Sequence, residues 1–227
     1  ETFLNSIPEF KQGYINIYPE LEFKGSITAR NAVSCTHSAE NAVLFYSGGL
    51  DSTVLLHLLA SNAAARKQGL RATHVHHGLH PEADRWAAHC QRMCDALSVP
   101  LTLTRVQVDC RSGLGLEAAA RAARHAAFAA AMTTDDILVL AHHQDDQAET
   151  FLLRALRGSG AEGLAAMRDW RAFAHGWLWR PLLDFPRRQL QALAQREGLH
   201  WIDDPSNANS GFARNFLRNQ VLPMLHE

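Results

Sequence analysis

From residue 42 onward the chain alternates short apolar runs with stretches in which apolar positions return at helical spacing. The runs at 42–46, 71–77, 101–107 and 136–142 predict strands, and the stretches at 52–66, 82–98, 116–132, 146–157, 186–197 and 211–222 predict helices. Residues 177–183 read as a further extended, partly buried segment. Strands alternating with helices imply βαβ units, so the fold class expected is α/β: a parallel sheet of about five strands with helices on both faces and right-handed crossovers. In such sheets ligands bind outside the carboxyl ends of the strands, where the strand order reverses.

Residues 1–40 do not share this pattern. They hold four of the six isoleucines (Ile7, Ile15, Ile17, Ile27) and two of the three lysines (Lys11, Lys24), whereas the remainder is rich in Ala, Leu and Arg. Tyr14–Tyr18 and Phe23–Thr28 each have strand propensity. The segment reads either as a leader of different origin, with no chemistry assigned, or as a β-hairpin added to the sheet edge; residues 41–227 form the domain proper.

A hydrophobic content of 47% with 20% charged residues belongs to a folded chain rather than a disordered one. No apolar run approaches the length of a membrane span, and the N-terminus lacks the basic and apolar regions of a signal peptide, so a cytoplasmic location is expected. Residues 1–150 carry 12 Lys and Arg against 16 Asp and Glu, while residues 151–227 carry 10 Arg against 7 acids. That modest basic bias toward the C-terminus suits a polyanion but is weak by itself. The cysteines Cys35, Cys90, Cys94 and Cys110 form no C-x-x-C pair and read as buried or idle thiols.

The first stretch with evident chemistry is Ala42–Leu56. Five apolar residues run into Ser47-Gly48-Gly49, and Asp51-Ser52 then opens an apolar helix, read as a capped start. A strand, a glycine turn and a helix N-terminus direct backbone N–H groups and the positive end of a dipole at one spot, an arrangement suited to an anion. An ordinary βα turn with a common N-cap is the plainer reading. Neither the Walker A pattern nor G-x-G-x-x-G is present.

Three further stretches fall at or beyond predicted strand ends. Thr73–His80 holds four histidines in seven residues, but no Cys or carboxylate follows at ligand spacing, so it reads as a polar strand tip bordering a nucleotide, turned by Gly78, rather than as a zinc site. On the helix at 116–132, Glu117, Arg121 and Arg124 share one face, either a solvated face or one that neutralises charge developing on phosphate. His142-His143-Gln144-Asp145-Asp146-Gln147-Ala148-Glu149 gathers three acids and two histidines at a helix start, which suits capping, Mg²⁺ or a cationic amine. Near the C-terminus Arg214 and Arg218 share a helix face, which is solvated or touches nucleic-acid phosphate.

The Ser47–Ser52 turn resembles the pyrophosphate loop, or PP-loop, of the ATP-pyrophosphatase superfamily. Its order with His74–Leu79, Glu117–Arg124, His142–Thr150, Arg180-Pro181-Leu182 and Asp203–Asn207 resembles the N-terminal domain of the bacterial tRNA(Ile)-lysidine synthetase family over roughly residues 42–225. The resemblance implies a Rossmann-like fold of the adenine nucleotide alpha hydrolase type. It also implies ATP and Mg²⁺ as cofactors, and L-lysine and tRNA(Ile) with a CAU anticodon as partners. ATP would adenylate the 2-carbonyl oxygen of the wobble cytidine, and the ε-amine of lysine would displace AMP, changing codon reading from AUG to AUA.

On that resemblance Ser47, Gly48, Gly49, Leu50, Asp51, Ser52 and His76 bind ATP, and Asp51, Arg121, Arg124 and Asp146 are catalytic. Asp145 holds metal, Asp146 with Glu149 binds lysine, and Arg214 and Arg218 contact tRNA. The family continues into C-terminal tRNA-gripping domains that this sequence does not contain; a monomer and a homodimer both remain open. The competing readings are another adenylating enzyme of the superfamily, such as a tRNA thiolase or a nucleotide amidation enzyme, and a non-catalytic nucleotide- or RNA-binding module.

Overall fold

The computed structural model describes residues 41–109, 115–208, 211 and 213–225. The strand candidates at 14–18 and 23–28, Cys35, Cys110 and the Glu117 side chain lie outside the described residues. The predicted strands appear as β1 (Ala42–Phe45), β2 (Arg71–His76), β3 (Leu101–Arg105) and β4 (Ile137–Val139). A hairpin of β5 (Trp170–Phe173) and β6 (Gly176–Trp179) makes the sheet six-stranded rather than five. The order is β3-β2-β1-β4-β6-β5, parallel except for β5, which pairs antiparallel with β6 at the edge. From β1 the chain adds β2 and β3 on one side, then returns to place β4 on the other, so the strand order reverses between β1 and β4.

Helices cover both faces because each strand alternates its apolar side chains between them. Ala42, Leu44 and Tyr46 with Ile137, Val139 and Trp179 face a core that also takes Val54, Leu55, Leu56, Leu58 and Leu59 of α1 (Leu50–Ser61). Cys90 and Cys94 of α3 (Ala83–Ala96) and Leu190, Leu193 and Ala194 of α7 (Arg187–Arg196) complete it. Leu138, Leu140, Leu178 and Val75 face the other way, onto Ala127, Phe128 and Met132 along α4 (Leu116–Ala131). Burial of each large side chain contributes about 1.5–3 kcal/mol relative to exposure. α1 is apolar nearly all round because it is enclosed between the sheet and α7.

Two predicted helices are broken. Asn62 is buried, and its Oδ1 accepts from the Ala65 amide at 3.0 Å; it ends α1 and caps a separate short helix, α2 (Ala63–Lys67). The stretch at 211–222 becomes α8 (Ala213–Phe216), a π turn (Leu217–Val221) and α9 (Leu222–Leu225). Pro223 cannot donate to the Asn219 carbonyl and its ring crowds it, which accounts for the widened turn there. The remaining helices are α5 (Gln144–Leu156) and α6 (Ala161–Leu164), with a 3-10 turn at Pro205–Ala208. Among the described residues no helix is long and apolar enough to cross a membrane.

Candidate active site

The turn after β1 is held from behind. Gly48 takes φ +84°, a left-handed conformation that side chains disfavour, and a Cβ there would lie 2.7 Å from Ile202 Cδ1 and 2.9 Å from Cys90 Sγ. The Ile202 amide donates to the Gly48 carbonyl at 2.8 Å, so the segment around Trp201 straps the turn from below. Gly49 ends the turn with extended φ/ψ and is the N-cap of α1 without a side-chain cap. The capped start expected from Asp51-Ser52 is therefore corrected: α1 begins at Leu50. Ser52 Oγ instead donates to the Gly49 carbonyl at 3.1 Å and lies 3.0 Å from Ser47 Oγ, which fixes the shape of the turn.

α5 starts just beyond β4, across the point of strand reversal. His143 is its N-cap: Nδ1 accepts from the Asp146 amide at 3.4 Å, and the Asp146 carboxylate accepts from the His143 amide at 3.1 Å, a reciprocal box. The other ring nitrogen, Nε2, lies 3.4 Å from Asp146 Oδ2 and 3.6 Å from Asp51 Oδ2. Carboxylates from the ends of β1 and β4 thus meet on one buried imidazole. Burial disfavours the imidazolium, but Asp51, Asp146 and Asp145 outweigh it and hold the His143 pKa above its ordinary value. Asp51 Oδ1 is buried, accepts no hydrogen bond, and has Arg187 Nε at 3.6 Å.

Between the two strand ends lies a cavity of about 200 Å³. Ser47, Gly49, Asp51 and Ser52 line it, as do Arg121 and Arg124 from α4, and beyond β4 it meets His142, Arg171 and Arg180. Among the described residues Asp51 is the only carboxylate on its wall, against four guanidiniums. Phe45, Phe128 and Leu140 form an apolar floor, with the Arg124 guanidinium 5.7 Å above the Phe45 ring. Burial, with Arg171 and Arg121 nearby, pushes Arg180 down to about 10. Burial, helped by Arg180, pushes His142 down to about 4, so its neutral ring accepts from Arg180 Nε at 3.2 Å. A small cavity with excess positive charge, a glycine turn and a helix N-terminus is built for a polyanion.

Several residues singled out by pattern sit elsewhere. Leu50 is in the core, and Gly48 supports the turn from outside the cavity wall. His76 is buried with Nε2 3.1 Å from Asp84 and 3.4 Å from Arg105, and is not on the cavity wall. Asp145 accepts from the Arg187 amide at 3.1 Å, tying the starts of α5 and α7 together.

Arg214 and Arg218, expected on a solvated or RNA-facing surface, are partly exposed and pair with acids of α5. Arg218 Nε donates to Glu149 Oε1 at 2.6 Å, its Nη2 reaches Asp146 Oδ1 at 3.2 Å, and Arg214 Nε lies 3.3 Å from Glu149 Oε2. The physical reason is that the helical segment 213–225 packs on α5, whose Glu149 is fully buried and whose burial raises its pKa despite both arginines.

Four residues at the site were not singled out as site residues by pattern. Arg180 belongs to a stretch already noted and His143 to a noticed pair, but nothing marks Arg171 or Arg187 except position in the fold. The four-histidine stretch holds no metal geometry, and among the described residues no group of three or more His, Cys, Asp or Glu is arranged for one. Cys90 and Cys94 are buried free thiols, pushed by burial up to about 12.

The profile of the PP-loop domain matches residues 23–225, and the chain belongs to that family of ATP-binding domains. Among curated proteins it is 66% identical over 185 residues to the tRNA(Ile)-lysidine synthase of Xanthomonas axonopodis pv. citri (strain 306), covering 82% of this chain and 42% of that protein. It is 58% identical over 182 residues to the tRNA(Ile)-lysidine synthase of Xylella fastidiosa (strain 9a5c), covering 80% of this chain and 41% of that protein. The chain thus spans about two-fifths of the length of these relatives. A solved U34-tRNA thiolase, NcsA from Methanococcus maripaludis with its 4Fe–4S cluster, superposes with a TM-score of 0.60 at 17% identity, covering 94% of this chain and 73% of that one. At that identity the likeness concerns the fold alone.

Proposed function

We propose that residues 41–227 form the ATP-using catalytic part of a tRNA(Ile)-lysidine synthase, acting on lysine and the wobble cytidine of a tRNA(Ile) with a CAU anticodon. The observation that carries this reading is the cavity at the strand reversal, where the glycine turn and Arg121 and Arg124 face one another beside Asp51, in a chain whose similar relatives bear that name.

In this reading the turn at Gly49–Ser52 and the start of α1 receive the β- and γ-phosphates, and Arg121 and Arg124 stabilise charge as the bond from the α-phosphorus to the bridging oxygen breaks. The cytidine 2-carbonyl oxygen forms the new bond to that phosphorus and pyrophosphate leaves. The neutral ε-amine of lysine then attacks C2, AMP departs with the oxygen, and the amine loses a proton. Holding the reactants in line is most of the work.

Asp51 and Asp146 fit Mg²⁺ better than Asp145 does: they face one another across His143 Nε2, where an ion would take over the charge of the imidazolium, Asp51 Oδ1 accepts no hydrogen bond, and Asp145 is spent on the Arg187 amide. Two carboxylates suffice where substrate phosphates complete the shell, and the ion, when bound, neutralises phosphate charge. Asp146, which faces Asp51 across the His143 ring and is held there by Arg218, is the acid we assign to the lysine ammonium. Glu149 serves it indirectly, by holding Arg218. The thiolase alternative is disfavoured by the two described cysteines, both buried as thiols.

The test is incubation of the chain with ATP, labelled lysine and an unmodified tRNA(Ile) transcript. Label on the RNA, together with AMP and pyrophosphate release that requires the RNA and stops when the wobble cytidine is changed to uridine, is the expected result. Pyrophosphate release indifferent to RNA, or no label on any RNA, would exclude the reading.

A further inference from the structure

We propose that Arg171 forms a second phosphate-binding position, for a phosphodiester of the polynucleotide substrate, distinct from the place of the nucleotide phosphates at the glycine turn. The inference rests on the function proposed above. Its starting point is an excess of positive charge on one cavity. The leaving pyrophosphate is served at the α1 end by the turn, Arg121 and Arg124, yet Arg171 of β5 and Arg180 just past β6 line the same cavity.

Some other arginines of the C-terminal third, such as Arg154, also lack an acidic partner among the described residues but lie away from this cavity, while several are paired with acids. Arg187, Arg196, Arg214 and Arg218 each have a carboxylate within ion-pair distance. Among the described residues neither Arg171 nor Arg180 has one.

Arg180 is buried and fixed, with Nε on His142 and Nη1 on the Arg168 carbonyl at 2.6 Å. Arg171 is half-buried; its Nη1 reaches only the neighbouring Ala172 carbonyl at 3.3 Å, and its guanidinium lies 5.3 Å from the centre of the Phe173 ring. That ring orients the guanidinium plane and leaves its edge for a ligand. A guanidinium with a free edge suits a phosphate oxyanion, which accepts two parallel N–H bonds.

Position in the sheet decides between the two sources of phosphate. β5 is the edge strand, three strands from β1, so Arg171 is rooted about 14 Å from the strand that ends in the glycine turn. A mononucleotide fills the inner end first, whereas a polynucleotide delivering one base into the cavity carries its flanking phosphates across that outer edge. Arg180, behind Arg171, adds positive potential there, offset only in part by Asp169.

The test compares wild type, Arg171→Gln and Arg171→Lys for binding of a non-hydrolysable ATP analogue and, separately, of a CAU anticodon stem-loop RNA. Arg171→Gln is expected to weaken RNA binding about tenfold, as for loss of a charge-assisted bond. It should also flatten the dependence of log affinity on log salt by about 0.7, the share of one single-stranded phosphate contact. Arg171→Lys should restore the salt slope and part of the affinity, and the analogue should bind all three within about twofold.

Equal weakening of the analogue with unchanged RNA binding would assign Arg171 to the nucleotide and overturn the inference, as would no change in either. Wild type that binds the analogue but no RNA would remove the functional reading and this inference together. RNA binding indifferent to Arg171 removes the inference alone.

Discussion

Gly48→Ala is expected to lose nearly all ATP-dependent activity and on the order of 10 °C of melting temperature. Two costs coincide at this residue. A side chain at φ +84° carries a left-handed penalty of about 1–2 kcal/mol. Its Cβ would also press on Ile202 Cδ1 and Cys90 Sγ, an overpacking cost of roughly 1–3 kcal/mol. For a domain of this size each kcal/mol lowers the melting temperature by about 2–4 °C.

Ile202 Cδ1 is a side-chain tip that can swing away, but Cys90 Sγ is enclosed in the core and can yield little. Relief therefore comes from the turn itself, and a displacement of about 1 Å there would cost about 100-fold in rate. Gly49→Ala is the informative contrast. Its φ is −74° and a Cβ would meet nothing closer than Ser47 Oγ at 3.6 Å, so the fold should keep its melting temperature. Gly49 lines the cavity, however, and the added methyl should weaken nucleotide binding. Calorimetric melting beside nucleotide titration separates the two glycines; equal behaviour of both variants would contradict the division of roles.

Glu149→Ala should destabilise the protein as strongly. The carboxylate is fully buried and sits between Arg218 and Arg214, whose side chains are 30% and 28% exposed. Removing one member of a buried ion pair costs about 3–5 kcal/mol because the partner charge is left uncompensated. Partial exposure of the two arginines places this case at the lower end, for a fall in melting temperature of roughly 6–12 °C. The segment 213–225 should then be cleaved first in limited proteolysis, since Glu149 is a principal tie from α5 to it. Glu149→Gln keeps an acceptor of the same shape and should lose less. Melting of Glu149→Ala at the wild-type temperature would mean that the cluster contributes nothing to the fold.

The parts of this arrangement that could be read from sequence are those in which residue type and chain order suffice. Apolar periodicity separates strands from helices, and a glycine turn between a strand and a helix has few physical interpretations. Right-handed crossovers set which face each helix covers, but the order that puts β1 beside β4 is visible only in the structure. The parts that could not be read depend on which way a face turns. Helical spacing placed Arg214 and Arg218 together, but the same spacing serves a solvated face and one aimed at a buried carboxylate; only the packing of 213–225 on α5 decides. Asp145 and Asp146 are equivalent as letters, and the His143 box makes them different by turning one to Asp51 and leaving the other to Arg187. β5 is four residues at an edge, half-buried, with too little alternation to stand out, so Arg171 had no element to sit on.

The central claim is that the bend between β1 and α1 cradles the phosphates of ATP, and the most direct measurement is a crystal structure with a non-hydrolysable ATP analogue and Mg²⁺. The β- and γ-phosphates should lie on the backbone of Gly49–Ser52, facing Arg121 and Arg124, with the ion at Asp51 and Asp146. A triphosphate bound at another part of the surface, with the Ser47–Ser52 bend in the shape described and carrying no phosphate, would contradict the account.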